Sequence, residues 1–152
     1  MEWVAFAFAT WFGLGHLPIV PTLAAVYFIL PAYWAFGQKP AIFWPFTLIV
    51  TIIGWWASDQ SGRSTGIADD GRIVVDEVAG AALLLAFVRP CHPLWITFLL
   101  IGYLVVDGIK PWPMSAMESL PGAYGVMADD LIIAVLVGAC LIPVRIWQNW
   151  RN

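Results

Sequence analysis

Three short stretches of this chain carry residues whose types and spacing could do chemistry. They are IVVDEVAG (73–80) with Asp76 and Glu77, DGIKPWP (107–113) with Asp107 and Lys110, and GVMADD (125–130) with Asp129 and Asp130. Each lies where a polar stretch meets an apolar run. Five carboxylates and one ammonium at such boundaries are what a hard divalent cation and a phosphate group require. Mg²⁺ takes oxygen ligands in octahedral geometry and keeps some waters, so two or three carboxylates suffice. The cation could polarise a phosphoryl group or activate water. Without it, neighbouring carboxylates repel, and a low dielectric strengthens the repulsion.

A simpler account competes. Acids near a helix N-terminus are favoured by the macrodipole, which alone would explain Asp76, Glu77, Asp129 and Asp130. Asp107 fits that account worst, because it falls at the C-terminal end of an apolar run, where an acid is electrostatically unfavourable. Lys110 suits a helix C-terminus and could offset Asp107. The i,i+3 spacing would put the two on one helical face if the helix persists that far.

The elements that must position these groups are strongly apolar. Of 152 residues, 61% are hydrophobic and 11% charged, with mean hydropathy +0.82, whereas about a quarter of residues are charged in soluble domains. The 10 Trp fit aromatic belts at membrane interfaces. A net charge of −3 without a basic cluster argues against a nucleic-acid partner. Five apolar segments stand out: 21–37 with a kink at Pro31, 41–57 with Pro45 in its first turns, 78–89 stopped by Arg89-Pro90, 93–109, and 128–147. Several fall short of the roughly 20 residues of a full span, so flanking residues or local bilayer thinning must supply the difference. Residues 58–77 and 110–127 read as polar connections. The N-terminal MEWVAFAFATWF has an acidic flank and no small-residue cleavage site, so an interfacial or re-entrant segment is expected rather than a signal peptide. The expected fold class is all-α: one domain over 1–152, a polytopic membrane bundle of about four to five transmembrane helices.

Threading the chain from side to side has a consequence for the acids. Asp59, Asp69, Asp70, Asp76, Glu77, Asp107, Glu118, Asp129 and Asp130 all fall on one membrane face, leaving only Glu2 of the ten acids unassigned. Orientation does not follow. Arg63, Arg72 and Lys110 share that face, while Lys39, Arg89, Arg145 and Arg151 take the other, so no positive-inside bias emerges. His16, in GLGHLPIVP, could act as an acid or base but is more often incidental in a Gly/Pro loop. His92 falls in the opposite turn, in a structural or solvated role. Cys91 and Cys140 lack metal spacing, and Cys140 is expected to be a small buried hydrophobe. The Asp130, Ala134, Gly138 stripe fits close helix packing.

Four blocks in this order, LPIVP (17–21), DGRIVVDEVAG (70–80), DGIKPWP (107–113) and GVMADD (125–130), resemble phosphatidylglycerophosphatase A over nearly the whole chain. The resemblance implies an integral inner-membrane, Mg²⁺-dependent enzyme. It would convert phosphatidylglycerol phosphate to phosphatidylglycerol and phosphate, with its site facing the cytoplasm. Carried over by position, Asp76, Glu77, Asp107, Lys110, Asp129 and Asp130 match the family's polar motif residues. Asp76, Glu77, Asp129 and Asp130 would then be metal ligands, with Asp107 a further ligand or general base. Asp76 also counts among the catalytic groups, and Lys110 would pair with the phosphate. The nucleophile on this reading is metal-activated water, with an aspartyl-phosphate as the alternative.

The chain also departs from the family pattern. Pro21 is followed by TLAA where the family continues PGTxGS, Leu104 stands where an Arg is common, and Ile133-Ala134 replaces an AG pair. Arg63, Arg72 and His16 are the candidates to replace the missing phosphate-binding groups. A cation-binding or transport protein, or an inactive structural family member, is the alternative function. A transporter should carry polar or broken-helix features at the bilayer midplane, whereas these acids gather at one interface.

Overall fold

The run VDEVAGAALLLA forms a helix around which the rest of the molecule packs. This helix, α5 (Val75–Ala86), buries nine of its 12 residues, from Val75 and Asp76 to Leu84 and Leu85. Its Ala and Gly residues let neighbouring backbones approach closely, the usual device for packing helices in lipid. At about 1.5 Å per residue it is about 18 Å long, too short to cross a hydrocarbon core of about 30 Å alone. The span expected over 78–89 is therefore an inner helix that starts earlier, at Val75.

The computed structural model describes residues 2–17, 21–67, 70–88, 92–110, 112, 114–117 and 120–151, and gives the backbone alone for 21, 114–115 and 142–151. Asp69, Arg89, Pro90, Cys91 and Glu118 lie outside the described residues, as do Pro18, Ile19 and Val20 of the LPIVP block. Regular structure among the described residues is all helical. It comprises α1 (Glu2–Ala9), a 3-10 turn (Leu14–His16), α2 (Pro21–Tyr27), α3 (Leu30–Phe36), α4 (Pro40–Thr65), α5, α6 (Pro93–Ile109), α7 (Met114–Met117) and α8 (Ala123–Arg151).

Helix α4 runs antiparallel to α5, with Gly54 against Val75 and the Thr47 hydroxyl donating to the Ala82 carbonyl at 3.5 Å. Helix α8 runs parallel to α5: Gly80 faces the Asp130 carbonyl, and Gly138 faces Phe87. Helix α6 lies antiparallel to α8 and buries Ile96, Leu100 and Tyr103. These directions bring the N-terminal ends of α5 and α8 together with the C-terminal end of α6. Among the described residues, two helices are long and apolar enough to cross a membrane, Pro40–Thr65 and the stretch Ala123–Leu141 of α8. On α4, Ile42, Leu48, Ile49 and Ile52 are exposed, as are Leu94, Phe98, Ile101 and Val105 on α6. Lipid is the solvent such faces fit, because water leaves large apolar patches unstable.

Several expected boundaries moved. Helix α4 continues through SDQSGRST to Thr65, so Asp59 is helical and pairs with Arg63 at 3.0 Å across one turn. The apolar segment 21–37 is two helices broken at Phe28-Ile29, with Pro31 in the first turn of α3. Helix α8 begins at Ala123, so AYG of the expected polar connection 110–127 is its first turn. Cys140 is exposed on α8 rather than buried. His92 does take a structural role, capping α6 by accepting the Leu94 N–H on Nδ1 at 3.3 Å.

The N-terminal segment anchors the turn that launches α5. Helix α1 packs along α4, and the Val74 N–H donates to the Ala9 carbonyl at 2.9 Å. A Cβ on Gly15 would meet the Arg72 carbonyl oxygen at 1.9 Å, so the 13–16 turn presses backbone on backbone. Packing at the far end is equally tight, where a Cβ on Gly138 would stand 2.5 Å from Phe87 Cδ2. Gly138→Ala is expected to lower stability by about 1–3 kcal/mol through overpacking. Combining it with Phe87→Leu should recover part of that loss. Thermal unfolding in detergent, read as a double-mutant cycle, checks the coupling.

Candidate active site

The three polar pairs meet in one cavity. Asp76 and Glu77 occupy the first turn of α5, Asp107 the last turn of α6, Lys110 its C-cap, and Asp129-Asp130 the second turn of α8. All six line a cavity of about 470 Å³, with Gly71 and Ile73 on one side and Gly122 and Gly125 on another. That volume lies in the range of small-molecule pockets, roughly 300–1,000 Å³.

Two positions differ from simple helix logic. Lys110 is not on the helix but just past it, with φ 45° and ψ 58°, its N–H bonded to the Val106 carbonyl at 2.9 Å. A lysine in left-handed backbone is uncommon, and such residues cluster at functional sites. Asp129 and Asp130 stand seven and eight residues into a helix that starts at Ala123. The macrodipole acts within the first turn, so it no longer accounts for them.

Burial makes partners obligatory. Asp76, Asp129 and Asp130 are exposed by only 7, 2 and 3%, and a buried charge is costly unless it is paired. Lys110 Nζ reaches Asp129 Oδ2 at 2.7 Å, and the Asp130 N–H donates to Asp129 Oδ1 at 3.0 Å, so both Asp129 oxygens are engaged. Tyr103 Oη donates to Asp130 Oδ1 at 2.5 Å. Thr22 Oγ1 donates to Glu77 Oε1 at 3.1 Å. Asp76 Oδ1 and Glu77 Oε2 are buried without a hydrogen-bond partner among the described residues.

Two orphaned carboxylate oxygens on adjacent residues are the donor chemistry a hard cation takes up, and the cavity they line also holds Asp107, Asp129 and Asp130. By that criterion the residues fit a divalent ion. Among the described residues, however, no three His, Cys, Asp or Glu groups converge as a ready-made ligand cage. Holding an ion would require side chains to turn toward it.

Arg72 and His16 lie outside the cavity lining, although Gly71 and Ile73 on either side of Arg72 belong to it. Arg72 forks onto Asp70, with Nε to Oδ1 at 2.9 Å and Nη2 to Oδ2 at 2.5 Å. Its guanidinium sits 5.1 Å from the Phe6 ring centroid, against whose edge His16 packs at 5.6 Å. These hydrogen bonds from Arg72, the largest influence, hold the Asp70 carboxyl below its ordinary value, while burial opposes them. Arg63, the third candidate replacement, is exposed and paired with Asp59.

Reading motifs overlooked Tyr103 and Thr22. Tyr103 stands one helical turn before Asp107, the spacing that puts two side chains on one face, and that was the available signal. Thr22 directly follows the LPIVP block.

The sequence family whose pattern matches residues 7–145 is phosphatidylglycerophosphatase A. A Bacteroides thetaiotaomicron protein, provisionally named a phosphatidylinositol-3-phosphatase, is 30% identical over 151 residues, covering 91% of each chain. The phosphatidylglycerophosphatase A of Escherichia coli K12 is 27% identical over 135 residues, 88% of this chain and 78% of its own. That of Haemophilus influenzae is 27% identical over 108 residues, 70% of this chain and 66% of its own. No solved structure matches the chain.

Two outcomes follow from the ion pairs. Lys110→Met leaves Asp129 buried without its ammonium and should lower stability by up to about 3 kcal/mol, since Lys110 is itself part-exposed. Adding Asp129→Asn should recover part of the loss in thermal unfolding. The Asp70 pair has a defined pH window. Its folded pKa is depressed, so its contribution is fully present above the unfolded value of about 3.9 and lost as pH falls through the folded one. The Tm difference between the native chain and Asp70→Asn should hold steady from about pH 8 to 5 and close below about pH 3.9.

Proposed function

The chain belongs to the phosphatidylglycerophosphatase A family, and from that membership we propose that it hydrolyses phosphatidylglycerol phosphate to phosphatidylglycerol and inorganic phosphate. It is a phosphoric monoester hydrolase acting on a lipid head group. The observation that carries this reading is the convergence of Asp76, Glu77, Asp107, Lys110, Asp129 and Asp130 on one cavity at one end of an apolar bundle. Acids and a lysine separated by up to 54 positions have no reason to meet there for packing alone.

The proposed cofactor is Mg²⁺, which would polarise phosphoryl oxygens and lower the pKa of water. Asp76, Glu77, Asp129 and Asp130 are its proposed ligand set, with Asp76 Oδ1 and Glu77 Oε2 the oxygens that have no hydrogen-bond partner among the described residues. Lys110 Nζ, already aimed into the cavity at Asp129, would bind a phosphate oxygen and offset the charge that develops there. Asp107 would accept the proton of the attacking water as the phosphorus–oxygen bond to the glycerol breaks. Arg72 and His16, just outside the cavity, would meet the anionic lipid on its way in. The acyl chains would stay among the apolar faces of α4 and α6.

The enzyme would sit in the bacterial inner membrane with this cavity on the cytoplasmic side. The departures from the family pattern and the Bacteroides relative's name motivate a second substrate in the test, phosphatidylinositol 3-phosphate. It shares the required chemistry, a phosphate monoester on a lipid-linked polyol.

Purified protein should release phosphate from phosphatidylglycerol phosphate with Mg²⁺ and lose that activity in EDTA. Asp76→Asn and Asp129→Asn should each lower kcat by at least about 100-fold, the scale on which single electrostatic groups act. Comparable turnover of phosphatidic acid would argue against head-group selection. No release from any of the three lipids would favour a cation-binding or inactive structural role.

A further inference from the structure

We infer that Tyr103 is a positioning residue that fixes which oxygen of Asp130 faces the cavity, and thereby sets the affinity of the site for its divalent cation. The inference rests on the proposed metal site and extends it to a residue that the motifs do not contain.

Tyr103 is fully buried, and its hydroxyl stands 2.5 Å from Asp130 Oδ1. A tyrosine in the middle of an apolar helix must find a partner for its hydroxyl, but this one selects a particular atom. By donating to Oδ1 it fixes the rotation of the carboxylate and leaves Oδ2 as the oxygen available to the cavity that Asp130 lines. Carboxylates that bind metals are commonly held this way by an outer hydrogen bond, and loss of such a partner weakens metal binding about 10- to 100-fold.

The packing around the bond is specific to it. A Cβ on Gly80 would stand 2.0 Å from Tyr103 Oη and 3.1 Å from the Asp130 carbonyl oxygen. The central helix therefore carries a notch at the level of this hydroxyl, where α5, α6 and α8 meet. One turn further along that face it places Leu84, fully buried. Adjacent acids on α8 are thus held by different neighbours, Asp129 by Lys110 and Asp130 by Tyr103.

The test measures Mn²⁺ binding by electron paramagnetic resonance in detergent, with no turnover involved. Tyr103→Phe keeps the ring and removes the hydrogen bond, and it should raise the Mn²⁺ Kd by about 10- to 100-fold. In an Asp130→Asn background the same change should have little further effect, a coupling that a packing role would not produce. Gly80→Ala, which crowds the hydroxyl while keeping both partners, should weaken binding in the same direction and serves if Tyr103→Phe does not fold. An unchanged Kd for Tyr103→Phe, with or without a lower Tm, overturns the inference. Equal losses in the native and Asp130→Asn backgrounds overturn it as well. Native protein that binds no Mn²⁺ overturns the metal reading itself, a result separate from either.

Discussion

The constraint on which the rest of this structure depends is the burial of several like charges at one end of an apolar bundle. Asp76, Asp129 and Asp130 are almost wholly withdrawn from solvent. In a medium of low dielectric their mutual repulsion is strong and their hydration is lost. Every neighbouring element can be understood as a response. Helix α6 delivers an ammonium to one of them and a phenol to another. Helix α2 delivers a hydroxyl to Glu77. The oxygens on Asp76 and Glu77 that have no partner among the described residues mark where the response is incomplete and where a cation would finish it.

This requirement also explains the shape of α5. A helix only 12 residues long, packed with Ala and Gly, is a poor membrane span but a good hub. Three other helices can approach it closely, so their polar termini are drawn into a narrow space. A central helix of Leu and Phe would hold α6 and α8 further away, and the Tyr103 hydroxyl would not reach Asp130. The N-terminal segment serves the same end. By pinning Val74 and pressing Gly15 against Arg72, it fixes the turn from which Asp76 and Glu77 enter the cavity.

Much of the site was legible in the sequence, because charge is rare in this chain and its few acids fall in three compact blocks. Helix α6 was legible to its boundaries, with Pro93 opening it and the apolar run ending at Ile109. The helices that were misjudged share a cause. SDQSGRST and AYG look like loop by composition, but tertiary packing overrides weak local preference. Ser58 and Ser61 are buried on α4 rather than solvated, and Ala123 and Gly125 are buried at the start of α8. Tyr103 and Thr22 stayed hidden for another reason. Their roles depend on residues 27 and 55 positions away, and no local pattern records such a distance.

The contrast between Lys110 and Arg72 bears on how a phosphate would be gripped. Arg72 already forks onto Asp70 and covers the Phe6 ring, so binding an anion inside the cavity would mean giving up both contacts. Lys110 donates to Asp129 within the cavity and carries three donors on a flexible stem. Its left-handed backbone turns the chain out of α6 at the cavity wall, where its ammonium lies beside Asp129. The chain, with leucine at 104, therefore keeps the Lys110 ammonium in the cavity and holds the Arg72 guanidinium outside its lining. On the proposed reading, that arrangement would separate capture of the anionic lipid, at Arg72, from stabilisation of the reacting phosphate, at Lys110, whose uncommon backbone holds it at the cavity.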